Sequence, residues 1–278
     1  MSLSLNAKKR LLLGLGAEAE DIQPLLDYTN NVFSYNPNKD EMFLIKWYPL
    51  LAQAKEVGTA NAINEHLLSK DSQVPFESPE EIEIEIYDSF AGKIPIITTA
   101  SDADFEQLSL KRIYKDKDYP HIKKQGASFA SGKVIRFMIL SKKPYSNVPG
   151  EAIGMDDIAW RDKSLVIRKH HEYTHYYTKQ FFGSSRNNLH DELVADFAGL
   201  WAAFGEYKAE YFMQFLNQGR LQIYVEGLSP SAAIVVERLA RLASAWVEAW
   251  TKTNEFLQLT EVERINFLCN KELLEYGG

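Results

Sequence analysis

The feature that most constrains this chain is a pair of short patterns between residues 169 and 201. The segment HEYTH at 171–175 has the form H-E-x-x-H, and the segment ELVAD at 192–196 has the form E-x-x-x-D. Residues four apart on an α-helix are rotated by only about 40°, so His171 and His175 project from one face and can reach the same ion. The two segments therefore predict two neighbouring helices that share a metal site.

The other members of this predicted site follow from the same helical geometry. An open catalytic zinc site takes three protein ligands and leaves one position to water, so we expect Glu192 to be the third ligand. Asp196 lies one turn beyond it and can accept a hydrogen bond from the far ring nitrogen of a ligating histidine. Glu172 is rotated by about 100° from His171, where it can face the water as a general base. Two imidazoles and one carboxylate in an open site suit Zn²⁺.

The combination of HEYTH and ELVAD resembles the gluzincin group of zinc metallopeptidases. This resemblance covers residues 171–196 only. It implies a zincin-like metallopeptidase architecture and the zinc-dependent hydrolysis of a peptide or protein substrate. The roles it implies are zinc ligation by His171, His175 and Glu192, base catalysis by Glu172, and support of the ligands by Asp196.

Other interpretations of the two segments stay open. The chain could be a gluzincin-like binding protein that keeps the metal site without catalysis, or a metal-free helical module whose histidines and carboxylates are solvated. A di-iron carboxylate site normally uses two E-x-x-H pairs on facing helices. Glu172 to His175 is the only such pair in the sequence, which disfavours a di-iron site.

A hydrolase of this kind also needs a hydrogen-bond donor for the oxyanion that forms during the reaction. The sequence offers His190, Tyr224, Tyr211 and Arg186, and it does not show which of them returns to the cleft. We take His190 and Tyr224 as the first two candidates for a catalytic role.

The predicted elements indicate an α+β protein. Helical patterns dominate residues 7–70 and 206–275. Between them, the alternation of isoleucine and glutamate at 81–86 predicts a strand, and further strands are expected at 93–99 and 134–140. A small mixed sheet therefore precedes the histidine-bearing helix. That helix is expected to start at Asp162 or Ser164 and to end near Phe182, and Asn188 is expected to cap the next helix.

We expect an N-terminal helical segment, 1–75, and a zincin-like catalytic region, 76–278, that together form one compact unit. Within the catalytic region, residues 76–145 would hold the sheet and residues 163–278 the helices. The strand at 134–140 has two possible positions. It is either an exposed edge that pairs with an extended substrate peptide or a buried central strand.

Composition and charge exclude several classes of protein. The net charge of −7 at pH 7 leaves no basic stripe that could neutralise the phosphates of a nucleic acid. No apolar run approaches the roughly 18 residues of a membrane span. The single cysteine, Cys269, excludes an intrachain disulfide and fits a reducing compartment. We therefore expect a cytoplasmic protein that binds neither nucleic acid nor a membrane.

Overall fold

The computed structural model describes residues 3–30, 41–117, 119–132, 135–183 and 188–277. These residues form an α+β protein that is mainly helical and has one small mixed sheet. The chain divides into two compact units, one made of Met1–Pro37 with Thr174–Gly278 and the other of Asn38–Tyr173. This division does not coincide with the predicted boundary at residue 75, and the assignment of 1–75 and 76–278 as domains stays a prediction.

The regular elements are numbered in chain order. The helices are α1 (Leu5–Gly14), α2 (Ile22–Thr29), α3 (Trp47–Val57), α4 (Thr59–Leu67), α5 (Asp102–Ser109), α6 (Gly150–Ile153), α7 (Asp157–Phe182), α8 (Leu189–Phe204), α9 (Ala209–Phe215), α10 (Leu221–Tyr224), α11 (Pro230–Trp250), α12 (Asn254–Gln258) and α13 (Glu261–Cys269). The strands are β1 (Glu83–Ser89), β2 (Gly92–Thr99), β3 (Ala127–Ser131) and β4 (Arg136–Ser141). Among the described residues, no helix combines the length and the apolar content that a passage through a membrane requires.

The sheet belongs to the unit Asn38–Tyr173 and has the strand order β1-β2-β4-β3. The hairpin of β1 and β2 is antiparallel, β2 runs parallel to β4, and β3 is antiparallel to β4. The strands predicted at 81–86, 93–99 and 134–140 are therefore confirmed as parts of one small mixed sheet, although Val134 lies outside the described residues.

The position of β4 corrects one expectation. This strand has β2 on one side and β3 on the other, and its residues Phe137 to Leu140 are buried. The hypothesis that the strand at 134–140 is an edge available to substrate is therefore wrong, and the alternative of a buried central strand is confirmed. Among the described strands, β1 and β3 form the edges of the sheet.

The core of this unit forms where α3, α4 and α5 pack with the sheet. Trp47 and Leu50 from α3 are buried in one cluster with Ile97 of β2 and Phe137 of β4. The rings of Trp47 and Phe137 have their centroids 5.0 Å apart. Pro49 lies in the first turn of α3, where its missing N–H has no intrahelical partner to lose, so it does not break the helix.

In the unit Met1–Pro37 with Thr174–Gly278, helix α8 is almost entirely buried and helix α11 buries one face. Asn188 caps α8 by accepting a hydrogen bond from the N–H of Asp191 at 3.1 Å, as the sequence predicts. On α11, Val235, Leu239 and Ala243 are fully buried at the four-residue spacing that defines one helix face. Within this unit, α8 and α9 pack against α11.

Candidate metal centre

The two histidines of the predicted site lie one turn apart on α7. The helix begins at Asp157, earlier than the predicted start at Asp162 or Ser164, and ends at Phe182 as expected. The boundary between the two units falls inside this helix, between Tyr173 and Thr174, and the helix is continuous across it. One helical turn therefore sets the position of His171 relative to His175.

Glu192, in the first turn of α8, meets this pair. Its Oε1 lies 3.4 Å from Nε2 of His175, and one ligand atom from each of Glu192, His175 and His171 lies within 4.8 Å of the other two. Zinc bonds of about 2.0–2.2 Å place two tetrahedral ligands roughly 3.4 Å apart. The three predicted ligands thus come close enough together that they could hold one metal ion, and the His175–Glu192 pair has the tetrahedral spacing.

Arg220 lies on the other side of the Glu192 carboxylate. Its Nη2 donates to Oε2 of Glu192 at 2.5 Å, and its Nη1 donates to Oδ2 of Asp196 at 3.0 Å. Its Nε donates to the hydroxyl of Tyr224 at 3.1 Å. The guanidinium group therefore joins Glu192, Asp196 and Tyr224 in one network, and the sequence did not indicate this role for Arg220.

A local departure from α-helical geometry precedes Arg220. Residues Leu216–Arg220 form a π-helical turn between α9 and α10, in which Gly219 has φ +92°. That backbone conformation is accessible to glycine and strained for other residues. Arg220 directly precedes α10 and Tyr224 is its last residue, so the two side chains are one helical turn apart and meet on one side of the chain.

His171 has a second partner that the sequence did not reveal. The hydroxyl of Tyr145 lies 2.9 Å from Nδ1 of His171, and both residues are buried. A ligating histidine commonly uses one ring nitrogen for the metal and the other for a hydrogen bond that fixes its orientation. With Nδ1 engaged by Tyr145, Nε2 is the nitrogen of His171 that would bind a metal ion.

Arg168, one turn before His171 on α7, holds the segment that carries Tyr145. Its guanidinium donates to the backbone carbonyls of Ser141 at 2.5 Å and Lys143 at 3.0 Å. Burial lowers the pKa of Arg168 to about 10, which still leaves it charged at neutral pH. The same helix therefore carries His171 and fixes the backbone next to its hydrogen-bond partner.

Glu172 and Asp196 are the remaining predicted members of the site. Glu172 is half-buried on α7, so its carboxylate keeps access to water. The carboxylate of Asp196 is buried and accepts a hydrogen bond from Arg220. The predicted hydrogen bond between Asp196 and a ligating histidine stays a prediction.

The structure does not bring His190 into the grouping of His171, His175 and Glu192. Its side chain is fully buried, and its Nε2 lies 3.1 Å from the carbonyl oxygen of Leu268. Desolvation lowers the pKa of His190 to about 4, so the imidazole is neutral at physiological pH. These contacts indicate a packing role for His190 and give no support to the catalytic role predicted for it.

Tyr224, another candidate oxyanion donor, is linked to Glu192 through Arg220. Burial raises the pKa of Tyr224, so its hydroxyl stays protonated and can donate a hydrogen bond. The ring of Tyr211 packs instead against Phe204 and Phe215. Arg186 lies outside the described residues.

The fold and the site together define an α+β protein with two histidines and a glutamate grouped where α7 and α8 meet. The model of a family described as "Family of unknown function (DUF7005)" matches residues 66–135 and 134–277, which is well over half of the chain. The chain belongs to this family. No curated protein and no solved structure matches the chain. The matched residues include every member of the candidate site, from Tyr145 to Tyr224.

Proposed function

We propose that this protein is a zinc-dependent hydrolase of the peptidase class. The observation that carries the proposal is the grouping of His171, His175 and Glu192 within 4.8 Å. Glu172 lies next to the first of these ligands on a helix that keeps it accessible to water. The resemblance of 171–196 to the gluzincins favours peptide hydrolysis over other metal-dependent hydrolysis. A zincin-like architecture and a cytoplasmic location belong to the same proposal.

The donor set favours zinc among the common divalent ions. Two imidazole nitrogens and one carboxylate oxygen form the three-ligand set of an open zinc site, whereas Mg²⁺ and Ca²⁺ prefer sites made of oxygen ligands. Tyr145 on His171 and Arg220 on Glu192 each hold a ligand in place through an atom that the metal would not use. Such supporting contacts are expected of a site that binds metal tightly.

The mechanism assigns a task to each side chain. When bound, zinc supplies Lewis acidity to a water molecule and to the scissile carbonyl group. The carboxylate of Glu172 would accept a proton from the attacking water and then pass this proton to the nitrogen of the leaving amine. The hydroxyl of Tyr224, held by Arg220, donates a hydrogen bond to the developing oxyanion.

The edge strand β3 is the candidate binding surface for an extended substrate. Gly126, directly before β3, packs so closely on Arg168 that a Cβ atom there would clash with the guanidinium group. Arg168 lies one turn before His171 on α7, so β3 begins close to the histidine-bearing part of the helix. The backbone of an edge strand can hydrogen-bond to an extended peptide.

Metal analysis followed by a cleavage assay on a diverse peptide library tests the proposal. We expect about one zinc ion per chain in the wild type and in Glu172→Gln. Only the wild type should cleave peptides efficiently, with a loss of about 10²–10⁴-fold in the variant, because a general base contributes a factor of this size. Glu237→Gln is the matched control, since Glu237 pairs with Arg241 on the surface of α11.

Other results of the metal analysis and the cleavage assay would contradict the proposal in different ways. Full activity of Glu172→Gln would rule out its role as the base. Zinc bound without cleavage of any peptide would favour a metal-containing binding protein. Absence of metal from the wild type, even after incubation with zinc, would favour the metal-free helical module.

A further inference from the structure

The two carboxylate oxygens of Glu192 face different partners. Oε1 lies 3.4 Å from Nε2 of His175, on the side of the candidate metal site. Oε2 accepts a hydrogen bond from Nη2 of Arg220 and forms an ion pair with it. The side chain of Glu192 is only 5% exposed, so this contact is sheltered from water.

Whether one or both of these oxygens are free to bind a metal ion determines the coordination number of that ion. A carboxylate can bind a divalent cation through one oxygen or through both. Two histidines and one oxygen leave the fourth position of a tetrahedral zinc ion open to water, whereas a second carboxylate oxygen would occupy that position. A group that holds Oε2 therefore keeps a place at the metal for the reacting water.

We infer that Arg220 is a positioning residue that keeps Glu192 bound to the metal through Oε1 alone. This inference rests on the proposed metal site and adds a device that sets its coordination number. It does not require that Arg220 touch the substrate or the metal.

The guanidinium group is held independently of Glu192. Nη1 donates to Asp196, whose side chain is 1% exposed, and Nε donates to the hydroxyl of Tyr224. Because two other acceptors fix the plane of the group, Nη2 can restrain Glu192 instead of simply following its movements. The backbone also contributes, since the turn at Gly219 sets the start of α10.

Only arginine meets all the requirements of this position. Its planar guanidinium directs N–H groups at three acceptors at once, while lysine carries the same charge on one flexible ammonium group. The substitution Arg220→Lys therefore keeps the positive charge near Glu192 and removes the fixed three-way geometry. It separates a positioning role from a merely electrostatic one.

The test uses Co²⁺ as a spectroscopic substitute for zinc in the full-length protein. Four-coordinate Co²⁺ absorbs visible light far more strongly than Co²⁺ with five or six ligands. We expect a strong visible spectrum for the wild type and a clearly weaker one for Arg220→Lys. The zinc dissociation constant of the variant, measured by competition with a chromophoric chelator, should rise by about 10–100-fold, as for other supporting groups around a metal.

Arg241→Lys is the matched control. Arg241 also pairs with a glutamate, Glu237 at 2.8 Å, but it does so on the exposed face of α11, and we expect this variant to keep the spectrum and the affinity of the wild type. A wild-type spectrum and affinity in Arg220→Lys would overturn the inference and leave the metal site standing. Failure of the wild type to bind either ion would overturn the metal site itself, and the inference with it.

X-ray absorption on the zinc-loaded wild type tests the inference without any substitution. This measurement therefore does not depend on whether the Arg220→Lys variant folds. We expect four nitrogen and oxygen neighbours around zinc, the number for two histidines, one carboxylate oxygen and one water. Five or six neighbours in the wild type would show that zinc is not held at four ligands, and would overturn the inference.

Discussion

Tyr145 illustrates how much one hydroxyl group can contribute to a candidate metal site. In Tyr145→Phe the ring remains to fill its buried position, and the hydrogen bond to Nδ1 of His171 is lost. Because that bond orients the imidazole, we expect zinc affinity to fall by about 10–100-fold. The free energy of unfolding of the metal-free protein should fall by only about 1 kcal/mol. Competition with a chelator gives the first quantity and urea denaturation the second.

Tyr114→Phe is the control for this prediction. The hydroxyl of Tyr114 donates to Oε1 of Gln125 at 2.8 Å, so this variant also loses one hydrogen bond of a half-buried tyrosine. It should lose a similar amount of stability and keep its affinity for zinc. Equal zinc affinity in Tyr145→Phe and the wild type would show that Tyr145 does not support a metal ligand.

Local spacing explains which residues of the site could be predicted from the sequence. The pairing of His171 with His175 follows from helical periodicity, which acts over a few residues, and the choice of Glu192 rests on the resemblance of 171–196 to the gluzincins. Their supporting partners come from far along the chain, Tyr145 being 26 residues from His171 and Arg220 28 residues from Glu192. No local pattern can show that such residues return to the site, because tertiary packing alone brings them there.

Helical geometry alone argues against a catalytic role for His190. His190 precedes Glu192 by two residues on α8, and two residues correspond to about 200° of rotation around a helix. A side chain on the opposite face from the candidate ligand is expected to point into the packing of the helix. The buried contact of His190 with Leu268 agrees with that geometry.

Among the structural elements, the turn before α10 has the most direct influence on the site. Gly219→Ala introduces a Cβ atom at φ +92°, a conformation that costs about 1–3 kcal/mol for a residue other than glycine. We expect the chain to relieve this strain by moving the start of α10, so the variant should lose stability and bind zinc more weakly. Urea denaturation and chelator competition measure the two effects.

Gly14→Ala is the matched control for the turn. Gly14 is the last residue of α1 and has no other atom within 4 Å of the position that a Cβ would take. Alanine there should leave stability unchanged or raise it by up to about 1 kcal/mol, because alanine favours helices more than glycine does. A Gly219→Ala variant that behaved like Gly14→Ala would show that the turn does not constrain Arg220.

The strand order of the sheet could not be predicted from the sequence. Alternation identified β1 and β4, but the order of strands depends on pairing between distant segments, so it could not be read from either strand alone. Strand β3, with the sequence ASFAS, has mostly small side chains and little of the β-branched or aromatic character that marks a strand. Because the sequence does not indicate β3, it leaves open that β4 is an edge strand of the sheet.

For the whole molecule, the proposal predicts that zinc stabilises the folded chain. A ligand that binds only the folded state raises the free energy of unfolding by RT ln(1 + [L]/Kd), which is about 2.7 kcal/mol when free zinc is 100 times its dissociation constant. The midpoint of thermal unfolding should then rise by several degrees over the value in the presence of a chelator. In His175→Ala this rise should disappear, because one of the three ligands is lost.

His66→Ala distinguishes specific binding from general binding of zinc to histidines. His66 is exposed on α4 and does not belong to the candidate group, so this variant should keep the full zinc-dependent rise. A rise that persisted in His175→Ala and vanished in His66→Ala would assign the stabilising zinc to a different place on the chain. No rise in any variant or in the wild type would mean that the convergence of α7 and α8 serves packing, with His175 and Glu192 as an ordinary polar pair in which only the Glu192 side chain is buried.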